Sequence, residues 1–275
     1  MNYLRKNNLN ESASLFDKEG THYKVFGERG PYLLFVHGVG MSGEIWKPQV
    51  EHFVSNYRVI TYDFLGHGQS QSPITPACID DYVEQLNSLV TTINVSSFNL
   101  VGHSMGALIS VAFSLKYPEK VTALIPLNMV YKRNKNAQID VIKRANLILK
   151  TGEINNIEET LDRWFKNKTE SYEIQSIKKV RQLLAEATPQ GYGNAYKLFA
   201  ESDRQFENKL SELKVPVLYL TGTEDPNSTP EMSSEMANES PQGSCFSIDN
   251  EAHMMAYIAP EKVNLAIENF IKKSE

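Results

Sequence analysis

Short β-branched or aromatic runs alternate with longer amphipathic segments through both ends of this chain, which leaves few folds open to it. Such alternation predicts an α/β fold, a mostly parallel central sheet flanked by helices. The strands expected are Tyr32 to Val36, Tyr57 to Tyr62, Phe98 to Val101, Val121 to Ile125, Val215 to Leu220 and Ser244 to Ile248, with an antiparallel piece near Tyr23 to Phe26. Leu33 to Val36 and Val217 to Leu220 are almost continuously apolar, as strands covered on both faces must be. Between them, helical spacing bounded by Gly, Pro, Ser or Asn runs over about Gly43 to Asn56, Ile79 to Ile93, Met105 to Tyr117, Pro230 to Asn238 and Pro260 to Lys272.

Between Pro126 and Val215 the chain is far longer than one crossover helix requires. Its segments Ile139 to Leu149, Ile157 to Lys166, Tyr172 to Ala187 and Tyr192 to Ala200 carry helical spacing and no strand pattern, which predicts a helical cap over residues 130–207. Residues 1–129 and 208–275 then form one core domain, within reach of a 275-residue chain.

A net charge of -5 and the lack of a dense Lys/Arg stripe speak against a nucleic-acid partner. The most basic stretch, Tyr131 to Arg144, is diluted by Asn, Gln and Asp and is read as a solvated surface. Met1 to Leu15 lacks the apolar core of a signal peptide, and no run approaches the roughly 18 apolar residues of a membrane span. A cytoplasmic location is therefore expected, with Cys78 and Cys245 as reduced thiols and no thiolate zinc site. The triplets Asn10-Glu11-Ser12 and Asn167-Lys168-Thr169 are then chance matches to a glycosylation signal. Oligomeric state leaves no readable trace.

Gly102-His103-Ser104-Met105-Gly106 lies directly after the apolar run Phe98 to Val101 and before a helical stretch. A strand that turns abruptly into a helix strains its central residue and exposes it at the carboxyl edge of the sheet, so Ser104 is the candidate nucleophile. The helix N-terminus supplies amide donors where negative charge would develop, the Met105 N–H first among them. A second donor is expected from His37-Gly38-Val39-Gly40, at Val39. The plain alternative at both places is a glycine-rich turn.

Serine needs a base, and of the six histidines His253 lies after the last strand at the same sheet edge. His103 should point away from the nucleophile, His37 and His67 shape the site, and His22 and His52 belong to peripheral segments. The orienting acid should follow the preceding strand in Thr221-Gly222-Thr223-Glu224-Asp225, where Asp225 is preferred over Glu224 and over Asp249. A helix-capping role for Asp225 is the simpler alternative. Trp164, Met129, Tyr192 and Met254 are candidates for an apolar pocket, in company with Trp46, Phe165, Tyr196, Phe199 and Met105, although aromatics at helical spacing are most often core.

Taken together these residues resemble the α/β-hydrolase superfamily. His37-Gly38-x-Gly40 is similar to its oxyanion loop, Asp63-Phe-Leu-Gly66-His67-Gly68-x-Ser70 to its Asp-x-x-Gly-His-Gly-x-Ser turn, and Tyr117-Pro118 to the end of its elbow helix. Leu65 stands where members often carry Arg. Thr188-Pro-Gln-Gly-Tyr192 and His253-Met-Met-Ala-Tyr-Ile-Ala-Pro260 are similar to 3-oxoadipate enol-lactonases and small carboxylesterases. The resemblance implies hydrolysis of a small or medium carboxylic ester or lactone through an acyl-enzyme, without metal or organic cofactor. The same constellation also supports amide, thioester or C–C bond hydrolysis, perhydrolysis, hydroxynitrile cleavage, or a triad-bearing ligand receptor.

Overall fold

The computed structural model describes residues 14–274 apart from 74–75, 155–156, 167, 169 and 203. The triplet Asn10-Glu11-Ser12 and residues Asn167 and Thr169 lie outside the described residues. Eight strands form one sheet: β1 (Leu15–Phe16), β2 (His22–Phe26), β3 (Tyr32–Val36), β4 (Arg58–Tyr62), β5 (Phe98–His103), β6 (Val121–Leu127), β7 (Val217–Gly222) and β8 (Gly243–Ile248). Their order is β1-β2-β4-β3-β5-β6-β7-β8. β2 runs antiparallel to both β1 and β4, and every other pair is parallel. This is the α/β-hydrolase fold expected of the sequence.

Leu34 pairs with Ile60 on one side and Leu100 on the other, and all four residues from Leu33 to Val36 are fully buried, which accounts for the unbroken apolar run of β3. The connections supply the cover: α1 (Lys47–Phe53), α2 (Ile79–Thr92), α3 (Met105–Lys116), α8 (Pro230–Glu239) and α10 (Pro260–Ser274). From β3 the chain moves to β4 on one side and then crosses to β5 on the other, so the order reverses beside β3 and opens a crevice at the carboxyl ends of β3 and β5.

Four helices stand between β6 and β7: α4 (Lys135–Thr151), α5 (Ile157–Phe165), α6 (Ser171–Glu186) and α7 (Pro189–Glu201). Asn134 caps α4 by accepting from the Ala137 amide, and Gly152 ends it at φ 69°. Their apolar faces, including Val141, Ile148, Leu161, Phe165 and Leu184, join those of the sheet in a single buried cluster.

The elements differ from the sequence reading mainly at their ends. β5 and β6 run two residues further, to His103 and Leu127, carrying the backbone ladder to the edge of the crevice. β7 starts at Val217 rather than Val215, because Pro216 has no N–H to give a neighbouring strand. Gly43 to Asn56 divides into a 3-10 turn at Gly43–Trp46 and α1, with Pro48 inside the first turn of α1. The two-residue β1 and the single-turn α9 (Met255–Ile258) are too short to leave a periodic signal.

Candidate active site

Ser104 joins β5 to α3 at φ 57° and ψ -114°, a conformation that costs a residue with a side chain about 1–3 kcal/mol. The surroundings hold it there. Its amide donates to Leu127 O at 2.9 Å, and its carbonyl accepts from the amides of Ala107 and Leu108 at 3.0 and 3.3 Å. The flanking glycines are required by close approach: a Cβ on Gly102 would lie 2.2 Å from Gly106 O, and one on Gly106 would lie 2.3 Å from Val36 O. Helix α3 can therefore start directly on the end of β3.

The loop after β3 meets Ser104 from the other side, since a Cβ on Gly38 would stand 3.3 Å from the Cβ of Ser104. His37 anchors that loop. Its Nε2 accepts from the Phe64 amide at 3.1 Å, so its Nδ1 carries the proton and donates to Gly38 O at 2.8 Å. Burial lowers its pKa to about 4, against the opposing pull of Asp63 and the Gly38 carbonyl. Among the described residues, neither the Val39 nor the Met105 amide donates to a protein acceptor. Two unused amides beside a serine at a helix N-terminus can bind an oxyanion.

His253 Nδ1 lies 2.8 Å from Asp225 Oδ2 with both side chains buried. Burial alone would raise the pKa of Asp225, but His253, Ser228 Oγ at 2.6 Å and the Asn227 amide at 2.9 Å favour the anion and hold it down at about 2. An ionised Asp225 accepts the Nδ1 proton, which leaves the lone pair of Nε2 as the basic site. Asp225 does not cap α8, because Thr229 does so by accepting from the Met232 amide. Glu224 is exposed and Asp249 makes no contact with the histidine ring among the bonds of the described residues.

Ser104 and His253 line one narrow cleft, in company with Gly38, Val39 and Met41 from the core and Trp164, Tyr192 and Tyr196 from the helices above. Its open space of about 30 Å³ admits roughly one or two waters. Ser104 Oγ makes no hydrogen bond to a described residue, so the pairing with His253 that base catalysis needs rests on their sharing this cleft. A larger hollow of about 240 Å³ opens alongside, between residues 40–44 and the end of α6, and shares Met41 with the cleft but none of Ser104, Asp225 or His253.

The chain matches the family model described as alpha/beta hydrolase fold over residues 31–157. It is 40% identical over 96% of its length to 98% of an Acinetobacter baylyi protein named (E)-2-((N-methylformamido)methylene)succinate hydrolase. The chain belongs to the α/β-hydrolase family. Within that family it is also similar to 3-oxoadipate enol-lactonase 1 of the same organism, at 27% identity over 89% of this chain and 90% of that one. Among solved α/β hydrolases, an esterase from Thermogutta terrifontis with malate bound superposes with a TM-score of 0.84 at 28% identity, covering 92% of this chain and 93% of that one.

Of the pocket residues expected for this α/β hydrolase, Trp164, Tyr192 and Met254 line the cleft, as do Tyr196 and Phe199. Met129 does not. It is 1% exposed within the apolar core, because the chain turns inward just beyond β6 at Asn128. Trp46, Phe165 and Met105 are likewise packed in the core and line no part of that cleft.

Two readings are corrected. His22 is not peripheral but 6% exposed, with Nδ1 2.7 Å from Asp63 Oδ2, because β2 pairs with β4 next to the turn that carries Asp63. Arg133 is not a solvated surface residue. It is 7% exposed, donates to Phe199 O at 3.0 Å, lies over the Phe199 ring and faces the cleft.

Sequence reasoning also missed Asn128, whose Nδ2 donates to Asp225 Oδ2 at 2.8 Å. An Asn at φ 51° after a strand is a usable signal, since Asn tolerates the left-handed region.

Proposed function

We propose that the chain is a serine hydrolase of small acyl compounds that bear carboxylate groups, cleaving an amide or an ester, lactones included. The observation that carries this reading is the charge of the cleft. Arg163 lines it with Ser104 and His253, and Arg133 lies beside it. Phe199 steadies Arg133, and Thr160 Oγ1 accepts from Arg163 at 3.1 Å. Planar guanidinium groups match carboxylates, and burial strengthens the pairing. The named compound of the Acinetobacter relative contains an amide and a succinate, and the similar esterase structure has malate bound, which supports an anionic substrate.

In this reading α4 to α7 form the cap over residues 130–207 and hold the substrate above the carboxyl edge of the sheet. His253 Nε2 takes the proton from Ser104 Oγ as the oxygen attacks the acyl carbon. The carbonyl oxygen becomes an oxyanion held by the Val39 and Met105 amides. Collapse breaks the bond to the amine or alcohol, which leaves with the proton from His253, and Ser104 keeps the acyl group. Water then gives a proton to His253 and its oxygen to the acyl carbon. The carboxylic acid departs as the proton returns to Ser104.

The test is a comparison of an N-acylaminomethylene succinate, its neutral dimethyl ester and p-nitrophenyl acetate. The dicarboxylate should be preferred by about 100-fold in kcat/KM, and Arg163→Met should raise its KM about tenfold while moving that of p-nitrophenyl acetate little. Equal turnover of the neutral and anionic compounds, or turnover that survives Ser104→Ala, defeats the reading.

A further inference from the structure

We infer that Lys168, in the connection between α5 and α6, is a positioning residue for His253, and that the histidine is held in register only while these helices are seated on the sheet. The inference rests on the role proposed for His253. It starts from how the segment Asn250 to Met254 is held.

The sheet domain ties it through Asp225 to the ring, through His103 Nε2 to the His253 carbonyl at 2.8 Å and through Thr223 Oγ1, which accepts the Asn250 amide at 3.0 Å. Further ties come from the helical layer. Trp164, near the end of α5, accepts the Met254 amide at 3.2 Å, and its ring lies 5.6 Å from that of His253. Lys168 donates to Asn250 O at 3.1 Å and pairs with Glu251 at 3.0 Å. A main-chain bond thus holds the residue after the histidine, and an ion pair holds the second residue before it.

Glu251 is the pivot. It is 4% exposed and is shared between Lys168 and Lys262 of α10. Its own carbonyl accepts the Glu224 amide at 2.8 Å, so the same residue links the histidine loop to the turn that carries Asp225. A buried carboxylate is costly without its cations, so losing Lys168 is felt along this loop rather than dissipated in solvent. Glu173, at the start of α6, stands 3.8 Å from Lys168 and keeps the lysine with the helical layer.

The functional consequence follows from the size of the cleft. With room for little more than water, substrate enters only when α5 and its neighbours shift, and that shift pulls on the ties from Trp164 and Lys168. Opening therefore loosens the base, and closure over a substrate restores it.

Labelling by a fluorophosphonate tests this without a known substrate. Lys168→Met should lower the maximal rate of Ser104 modification about tenfold or more, leave the half-saturating probe concentration little changed, and be rescued by Lys168→Arg. Glu251→Gln, which keeps the shape, should lower the same rate and serves if the methionine variant does not fold. The downfield Nδ1 proton resonance of His253 should broaden in both variants. Native labelling rates and an unchanged resonance in folded Lys168→Met and Glu251→Gln, with labelling lost in His253→Ala, overturn the inference and leave the base intact. Native labelling in His253→Ala instead overturns the role of the histidine itself.

Discussion

His103 Nε2 donates to the main-chain carbonyl of His253 at 2.8 Å, so the residue before Ser104 holds the backbone of the residue proposed to activate that serine. The two rings lie 4.9 Å apart, and burial keeps His103 neutral, its pKa lowered to about 3. His103→Ala would leave both a buried unpaired carbonyl and a cavity, at a cost of about 2–4 kcal/mol. Thermal melts should show that loss, and fluorophosphonate labelling of Ser104 should slow. His103→Gln, whose amide can still reach the carbonyl, should recover most of the labelling rate. Equal rates in all three proteins would remove His103 from the account.

Asn128 presents a separable question, because it both occupies a left-handed position and donates to Asp225. Asn128→Gly keeps the backbone relaxed and removes the side chain with its donor to Asp225, a bond to a charged group worth about 1.5–3 kcal/mol. Asn128→Ala loses the donor and adds roughly 1–2 kcal/mol of backbone strain. Denaturant titrations should order the proteins native, Gly, Ala, with both variants labelled more slowly than native. Should Ala prove as stable as Gly, the left-handed backbone at this position is not a constraint.

The central strands, and the placing of Ser104, Asp225 and His253 just beyond the carboxyl ends of β5, β7 and β8, were legible because both are local. Leu33 to Val36 announces a doubly covered strand, and Gly102 to Gly106 announces a strand turning into a helix with no loop between them. Asp225 could be preferred to Glu224 because the glutamate is longer and adjacent residues in a turn diverge, although its other partners could not be read, since Asn128 lies 97 residues away. The two arginines of the cleft were hidden for the same reason. Arg133 sits in a stretch whose neighbours are polar, and only the fold of α7 brings Phe199 over it. His22 was read as part of a peripheral segment, and its burial depends on β4, more than thirty residues later.

Gly106 offers a test of the junction rather than of the chemistry. The Cβ of Gly106→Ala would meet two backbone carbonyls, Val36 O at 2.3 Å and His37 O at 2.5 Å, neither able to rotate away. Helix α3 must then lift from β3, which disturbs both the Met105 amide and the loop carrying Val39. Overpacking of this kind costs typically 1–3 kcal/mol and sometimes more. The variant should melt several degrees lower and label poorly even where it stays folded. A Gly106→Ala protein with native melting and labelling would show that the junction has slack.

Stability should fall steeply in mild acid, and the sign follows from three buried histidines. Burial is the leading cause that lowers His37 to about 4 and His67 and His103 to about 3, from an ordinary value of 6.5. Above pH 6.5 these rings are neutral whether the chain is folded or not, and their contribution to stability is complete. As the pH drops below 6.5 the unfolded chain takes up protons that the folded one refuses, so the contribution is lost progressively towards pH 3–4. Each group removes about 1.4 kcal/mol per pH unit at the steepest, or roughly 4 kcal/mol per unit for three. Asp225, depressed from 3.8 to about 2, acts in the same direction at lower pH, since its contribution is lost as the pH falls from 3.8 to about 2. Urea titrations between pH 7.5 and 4.5 should therefore show a falling midpoint, and His67→Asn should reduce the slope by about one proton, because that ring no longer titrates in the unfolded chain. A midpoint that stays level across this range would mean that water reaches these rings and that the folded chain accepts their protons.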